Sequence, residues 1–227
     1  MSKRLKRRAF ISRITAATFT GALLGGCINR EKDESPESAD DPATPALKPN
    51  ESNFKDQLSE NRKLPRELVM KLLDQKVDHY MQLSHHCAQS SFLALKEQFG
   101  LEGDEIVKAL TPLTGIAERG ETCGAVTGPL MVLGLIYGRG ESQLNDWETY
   151  RTSLSPSGEF CSQFEMEYGS TMCHDIQNVK FGKCFRLTNP EELQEFQEAD
   201  ATEQCSSVVR KAVRIAANII LDDTEIF

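Results

Sequence analysis

Cysteine is the residue type in this sequence with the clearest chemical potential. Seven cysteines occur among the 227 residues, and one of them, Cys27, lies apart from the others near the N-terminus. No two of the remaining six form a Cys-x-x-Cys motif, which zinc ribbons, thioredoxin-type redox pairs and simple ferredoxin clusters use. Any thiol chemistry must therefore come from cysteines that are distant in the sequence. These six are Cys87, Cys123, Cys161, Cys173, Cys184 and Cys205.

Two of these cysteines are predicted to lie at the starts of helices. Thr122 and Ser170 are typical N-cap residues, so we expect Cys123 and Cys173 in the first turns that follow. The unpaired N–H groups and the positive end of the helix dipole favour a thiolate in such a turn. A thiolate is both the nucleophile of disulfide exchange and the form that binds soft metals.

Two glycines, Gly124 and Gly128, follow Cys123 closely. Because glycine has no side chain, these positions leave space for a cofactor, a second cysteine or another backbone to approach. They are therefore candidate cofactor-binding residues. The alternative, which the residues alone do not exclude, is that they only permit tight packing between helices.

Three histidines lie near the cysteines and are candidates for metal binding or for accepting a thiol proton. His85 and His86 precede Cys87, and His174 follows Cys173. A solvent-facing position on a helix is the favoured alternative for all three. Covalent attachment of haem is not expected, because the chain has no Cys-x-x-Cys-His motif.

The part of the chain after residue 63 has the apolar spacing of helices and no alternating strand pattern. We therefore predict an all-α fold, a single compact multi-helix bundle formed by residues 64–227. The last helix is the clearest, because Cys205, Val208, Val209, Ala212, Ile215, Ala216 and Ile219 form one continuous apolar stripe. The predicted helices are 66–83, 86–99, 104–110, 122–137, 143–168 with a break near Pro156, a short helix from Pro190, and the last one.

The N-terminal part of the sequence is typical of an exported protein. Arg7-Arg8-Ala9-Phe10-Ile11 resembles a twin-arginine export signal, and Leu24-Gly25-Gly26-Cys27 resembles the cleavage site of a lipoprotein. We therefore predict a signal peptide at residues 1–26, lipidation at Cys27, and a location at the cell envelope on the exported side of the membrane. Residues 27–63 are mainly polar and contain four prolines, so we predict a disordered acidic linker.

Charge and hydropathy exclude several classes of protein. The formal net charge is −8 at pH 7, whereas a nucleic-acid-binding protein needs a basic surface. No apolar run is long enough for a protein that crosses the membrane many times. The expected partners are therefore the membrane, through the lipid anchor, the twin-arginine export machinery, and a redox or transporter partner.

The region that contains the six cysteines resembles the C-GCAxxG-C-C family of redox-active proteins over about residues 65–221. The resemblance implies a redox-active or metal-binding helical domain, often associated with transport genes, in which four cysteines form the site. It leaves Cys161 and Cys184 outside that set. His174 replaces the usual arginine of the family and Pro129 replaces an alanine-like residue. The matching segments are Cys87-Ala-Gln-Ser, Cys123-Gly-Ala-x-x-Gly128, Tyr168-Gly-Ser-Thr-x-Cys173, and Cys205 with Val208-Val209.

Three functional classes remain open at this stage. In the first, Cys87, Cys123, Cys173 and Cys205 form a thiol/disulfide couple, or they bind an iron–sulfur centre or another thiolate-bound metal. Twin-arginine export favours this class, because that route moves folded proteins that commonly carry cofactors. The second class is a binding domain stabilised by disulfides, and the third is an accessory lipoprotein associated with a transporter. The sequence does not decide whether the protein is an enzyme.

Overall fold

The computed structural model describes residues 51–226, and these residues confirm the all-α prediction. Within this range, the one pairing of strand type is an isolated antiparallel bridge between Thr122 and Met172. No helix in the same range is long and apolar enough to cross a membrane. The helices are α1 (Glu51–Lys63), α2 (Arg66–Ser84), α3 (Cys87–Phe99), α4 (Asp104–Ala109), α5 (Gly115–Glu118), α6 (Gly124–Tyr137), α7 (Trp147–Ser153), α8 (Ser155–Tyr168), α9 (Cys173–Phe181), α10 (Pro190–Glu198) and α11 (Ala201–Asp222).

The core is formed mainly by α2, α3, α6 and α11. Side chains from all four helices are fully buried there, including Leu73 of α2, Phe92 of α3, Leu133 of α6 and Ile220 of α11. Burying a side chain of this size contributes roughly 1.5–3 kcal/mol to folding. The apolar stripe that the sequence predicts for the last helix is the face of α11 that packs into this core.

The polar edge between α2 and α11 fixes the register of these two helices. Arg214 of α11 donates to both carboxylate oxygens of Asp74 of α2, with Nε 2.9 Å from Oδ1. A second ion pair joins Arg210 to Asp78 one turn away. Paired guanidinium–carboxylate contacts of this kind are geometrically specific. They hold the first half of α11, which contains Cys205, beside the C-terminal half of α2.

The prediction of a disordered linker up to residue 63 is wrong for its last part, because residues 51–63 form α1. The side chain of Leu58 is only 2% exposed, and Phe54 is also buried in the core. Asn61 donates through Nδ2 to the backbone oxygen of Gln98 at 2.8 Å. The folded domain therefore begins at α1 rather than at residue 64. The predicted signal peptide, Cys27 and residues 28–50 lie outside the described residues.

The other helix boundaries differ little from the predictions. Gly100, with φ of +64°, ends α3, as its position in the sequence predicts. The break predicted near Pro156 falls at Leu154, and the proline lies in the first turn of α8, where its missing N–H costs nothing. The short helix α4 begins at Asp104, but its N-cap is Gly103 rather than Asp104.

Candidate redox site

Four of the six cysteines line one small cavity of about 20 Å³ inside the bundle. Cys87 is the first residue of α3, Cys123 is the N-cap of α6, and Cys173 is the first residue of α9. Cys205 lies in the second turn of α11. The structure therefore brings together Cys87, Cys123, Cys173 and Cys205, which are the four cysteines that the family resemblance implies.

The backbone places Cys123 and Cys173 beside each other. Cys123 donates its N–H to the oxygen of Thr171 at 2.9 Å, and Cys173 donates to the oxygen of Glu121 at 2.7 Å. These two hydrogen bonds flank the isolated bridge and hold the starts of α6 and α9 together. As a result, the two thiols are neighbours, and Cys123 acts on the pKa of Cys173.

Cys87 and Cys205 form a second thiol pair. They come from α3 and α11, which pack directly against each other, and Cys205 acts on the pKa of Cys87. Cys87 interacts electrostatically with Cys173 as well, so the two pairs are neighbours. Cys87 is 9% exposed and Cys123 is 6% exposed, whereas Cys173 and Cys205 are half-buried. Each pair thus has one buried and one more accessible sulfur.

The two glycines after Cys123 allow α6 to approach α3 very closely. A Cβ atom on Gly124 would lie 2.6 Å from the backbone nitrogen of Ala88 and 2.8 Å from Cβ of Cys87. On Gly128 it would lie 2.0 Å from Oγ of Ser91 and 2.4 Å from the backbone oxygen of Ala88. Backbone and side-chain atoms of α3 fill the space beside both glycines, as the packing alternative predicts, and cofactor binding by these glycines stays a prediction. They place the starts of α3 and α6, and hence their cysteines, side by side.

Hydrogen bonding between the thiols and burial raise the pKa of two of the cysteines. The hydrogen bond to Cys123, followed by desolvation, raises the pKa of Cys173 well above its ordinary value. The hydrogen bond to Cys205 and burial likewise raise the pKa of Cys87. The neighbouring thiol and burial thus act against the thiolate that the position of Cys173 at a helix start predicts.

The caps of the two helices differ from the sequence-based expectation. Cys123 is itself the N-cap of α6, so Thr122 is not. Met172 is the N-cap of α9, and Ser170 instead accepts a hydrogen bond from the Met172 N–H at 3.0 Å. The positions of both cysteines at helix starts are nevertheless as predicted. The backbone hydrogen bonds around the bridge between Thr122 and Met172, rather than side-chain caps, align the starts of α6 and α9.

The histidines support the surrounding structure rather than the cavity. His86 is the N-cap of α3, and its Nδ1 accepts a hydrogen bond from the Gln89 N–H at 3.2 Å. Its Nε2 lies 2.9 Å from the oxygen of Thr111, which fixes the tautomer with the proton on Nε2. His174 lies with Nδ1 2.8 Å from the oxygen of Gly120. His85 is exposed, as the favoured alternative predicts.

The cavity has further lining residues that the sequence did not single out. Gln177 of α9 donates to the sulfur of Cys173 at 3.6 Å. Lys180, one turn further along α9, also lines the cavity and contacts Oγ of Ser207 at 3.0 Å. Both lie on the same face of α9 as Cys173, at the spacing of one and two helical turns. That spacing was the signal in the sequence that could have identified them.

The wall of the site near Cys173 contains a left-handed turn. Every residue of α5 has positive φ, including Ile116 at +44° and Ala117 at +55°. Such conformations cost about 1–3 kcal/mol each for residues other than glycine. A Cβ on Gly115, the first of these residues, would lie 3.6 Å from the sulfur of Cys173. The strained turn therefore begins directly beside this thiol.

The two cysteines outside the family set do not line the cavity. Burial raises the pKa of Cys184, with a smaller contribution from Cys173 nearby. Its sulfur lies close to the loop before α6, 3.8 Å from where a Cβ of Gly120 would be. Cys161 lies on α8, where burial and then Glu165 raise its pKa.

The four cavity cysteines form two neighbouring pairs. All six cysteines of the described chain are free thiols. Within residues 51–226, no group of three or more histidine, cysteine, aspartate or glutamate side chains has a geometry that could hold a metal ion. A tetrahedral thiolate site needs four ligands that converge on one point, so metal binding by Cys87, Cys123, Cys173 and Cys205 stays a prediction.

Comparison with known proteins gives one match. The model of the family described as "Putative redox-active protein (C_GCAxxG_C_C)" matches residues 85–219. This range contains all four cavity cysteines and most of the core helices. No curated protein and no solved structure matches the chain.

Proposed function

The chain belongs to the C_GCAxxG_C_C family of redox-active proteins, and we propose that it acts as a thiol/disulfide couple. The observation that carries this proposal is the pairing of Cys123 with Cys173 and of Cys87 with Cys205 around one cavity. Two neighbouring thiols are the arrangement that a disulfide requires. The proposed redox site therefore holds two dithiols.

Each pair is suited to a two-electron reaction. Oxidation of a pair removes two protons and two electrons and forms one S–S bond, and reduction reverses this. In the reduced state, the raised pKa of Cys173 and of Cys87 keeps one proton within each pair. A sulfur must lose its proton before it reacts, because the thiolate is the nucleophile of disulfide exchange. The buried positions of Cys87 and Cys123 protect the pairs from unspecific oxidation.

A redox titration with mass spectrometry tests this proposal. The protein is equilibrated anaerobically in thiol/disulfide buffers of graded potential, then alkylated, digested and analysed for disulfides. We expect disulfides Cys123–Cys173 and Cys87–Cys205, and the loss of one of them in Cys173→Ser or Cys205→Ser. Cys161→Ser is the matched control and should leave both disulfides intact. Stoichiometric bound metal that is lost in Cys173→Ser and Cys205→Ser would instead support an iron–sulfur or other thiolate-bound metal.

The export of the protein and its lipid anchor are part of the same proposal. They rest on the twin-arginine and lipoprotein motifs that end at Cys27. Two or more acyl chains suffice for stable anchoring of a domain to a bilayer. Cys27→Ala should therefore move the protein from the membrane fraction to the soluble fraction, whereas Cys161→Ala should not. A Cys27→Ala protein that stays in the membrane fraction would refute lipidation at this residue.

A further inference from the structure

A larger cleft of about 540 Å³ adjoins the sulfur cavity and opens between α10 and the junction of α2 with α3. Three of the four cavity cysteines, Cys87, Cys173 and Cys205, line both spaces, but Cys123 lines only the small one. The cleft has the volume of a typical small-molecule site. The cleft thus gives access to three of the four sulfurs of the proposed dithiols.

The lining of this cleft is mainly apolar and uncharged. Its apolar part comes from five residues: Met81 of α2, Leu187 of the loop before α10, Leu193 and Phe196 of α10, and Ala201 of α11. Glu118 is the one carboxylate among the lining residues, and neither lysine nor arginine is present there. The remaining polar groups are amides, hydroxyls and imidazoles. This chemistry favours a neutral molecule with apolar substituents and disfavours an anion.

Among the accessible sulfurs, Cys205 is best placed to meet a molecule in the cleft. Ala201 and Thr202, about one turn earlier on α11, line the same cleft, so Cys205 lies on the helix face that forms its wall. Cys205 is half-buried, whereas its partner Cys87 is only 9% exposed. The partner therefore lies behind it, in the position of a resolving thiol.

We propose that this cleft binds a neutral, low-molecular-weight disulfide with apolar substituents, and that Cys205 attacks it. This inference rests on the thiol/disulfide function proposed above. The Cys205 thiolate attacks one substrate sulfur, breaks the S–S bond and releases one thiolate, which leaves a mixed disulfide on Cys205. Cys87 then loses its proton and attacks the Cys205 sulfur. The protein disulfide forms, the second substrate thiol is released, and two electrons have passed to the substrate.

The charge selectivity is tested with two aromatic disulfide probes. The probe 4,4′-dithiodipyridine is neutral, whereas 5,5′-dithiobis(2-nitrobenzoate) carries two negative charges. Each rate of thiol release by the reduced protein is divided by the rate with free N-acetylcysteine, which removes the intrinsic reactivity of the probe. The carboxylate of Glu118 repels the two negative charges of the second probe. The normalised rate should therefore be at least roughly tenfold higher for the neutral probe, and equal normalised rates would overturn the proposal.

The location of the binding site is tested with two tryptophan variants on α10. Gln197 is exposed and lines the cleft, so Gln197→Trp should fill the opening. Gln194 is exposed on the same helix but does not line the cleft, so Gln194→Trp is the matched control. We expect Gln197→Trp to slow the reaction with 4,4′-dithiodipyridine by roughly tenfold, a change of about 1.4 kcal/mol, and Gln194→Trp to leave it unchanged. The same rate in both variants would contradict the proposal.

The attacking sulfur is identified by trapping. In Cys87→Ser, the mixed disulfide on Cys205 has no resolving thiol, so the adduct persists on Cys205 and is located there by peptide mass spectrometry. An adduct on Cys173 would refute the role of Cys205. The equilibrium titration described above separates the two proposals, because it does not depend on the cleft. Disulfides that form normally while the cleft variants have no effect would overturn only the substrate site.

Discussion

The close approach of α3 and α6 gives a sharp prediction for Gly128→Ala. A Cβ at this position would lie 2.4 Å from the backbone oxygen of Ala88, which cannot rotate away. Ordinary contacts begin near 3.4 Å, so the two helices must separate locally by about 1 Å. Overpacking of this kind costs about 1–3 kcal/mol. The same movement would pull Cys123 away from its neighbours at the start of α3.

Gly134→Ala on the same helix is the control for this variant. Gly134 is exposed, and a Cβ at this position would meet no atom of another element within 4 Å. Both substitutions gain the same helix propensity, about 1 kcal/mol, so their difference isolates the steric cost. We expect Gly134→Ala to be stabilising and Gly128→Ala to be about 1–3 kcal/mol less stable than Gly134→Ala. The assay is urea unfolding followed by far-UV circular dichroism, and equal stability of the two variants would refute the close helix contact.

Two further predictions concern α1 and the reactivity of the thiols. Leu58→Ala should lower the free energy of unfolding by about 2–5 kcal/mol because it leaves a cavity in the core. The control Ser59→Ala, at an exposed position, should have little effect. The same small change in both variants would contradict the docking of α1. Alkylation of Cys173 in the reduced protein should rise only at pH values above the range where an ordinary thiol reacts, because its pKa is raised and the thiolate is the reactive form. Cys123→Ala removes the neighbouring thiol that is the largest cause and should move this pH profile, measured by peptide mass spectrometry, to lower pH. An unchanged profile would disprove the pairing.

The helices of the core were predictable from the sequence because their apolar residues repeat at helical spacing. The stripe on α11 and the Gly100 signal at the end of α3 are both local, and both are confirmed. α1 was not predictable in this way, since its buried apolar residues are only Phe54 and Leu58. Its order depends on docking to the rest of the bundle, which no local pattern contains.

The sequence predicted which cysteines form the site but not how they pair. The family resemblance selected the four cysteines that line the cavity. The resemblance did not predict that Cys123 pairs with Cys173. This pairing depends on the bridge between Thr122 and Met172, and the sequence around these two residues has no strand pattern. The raised pKa of Cys173 was missed for the same reason. A helix start predicts a thiolate only when no second thiol shares its proton.

The order of the two pairs along the chain has a topological consequence. Cys123 and Cys173 both lie between Cys87 and Cys205, so the two disulfides would enclose nested loops. The outer bond would connect α3 to α11 across 205 − 87 = 118 positions. Closing a loop of about this length restricts the unfolded chain by roughly 4–5 kcal/mol. The oxidised molecule would thus resist unfolding and proteolysis, so its lifetime would depend on its own redox state.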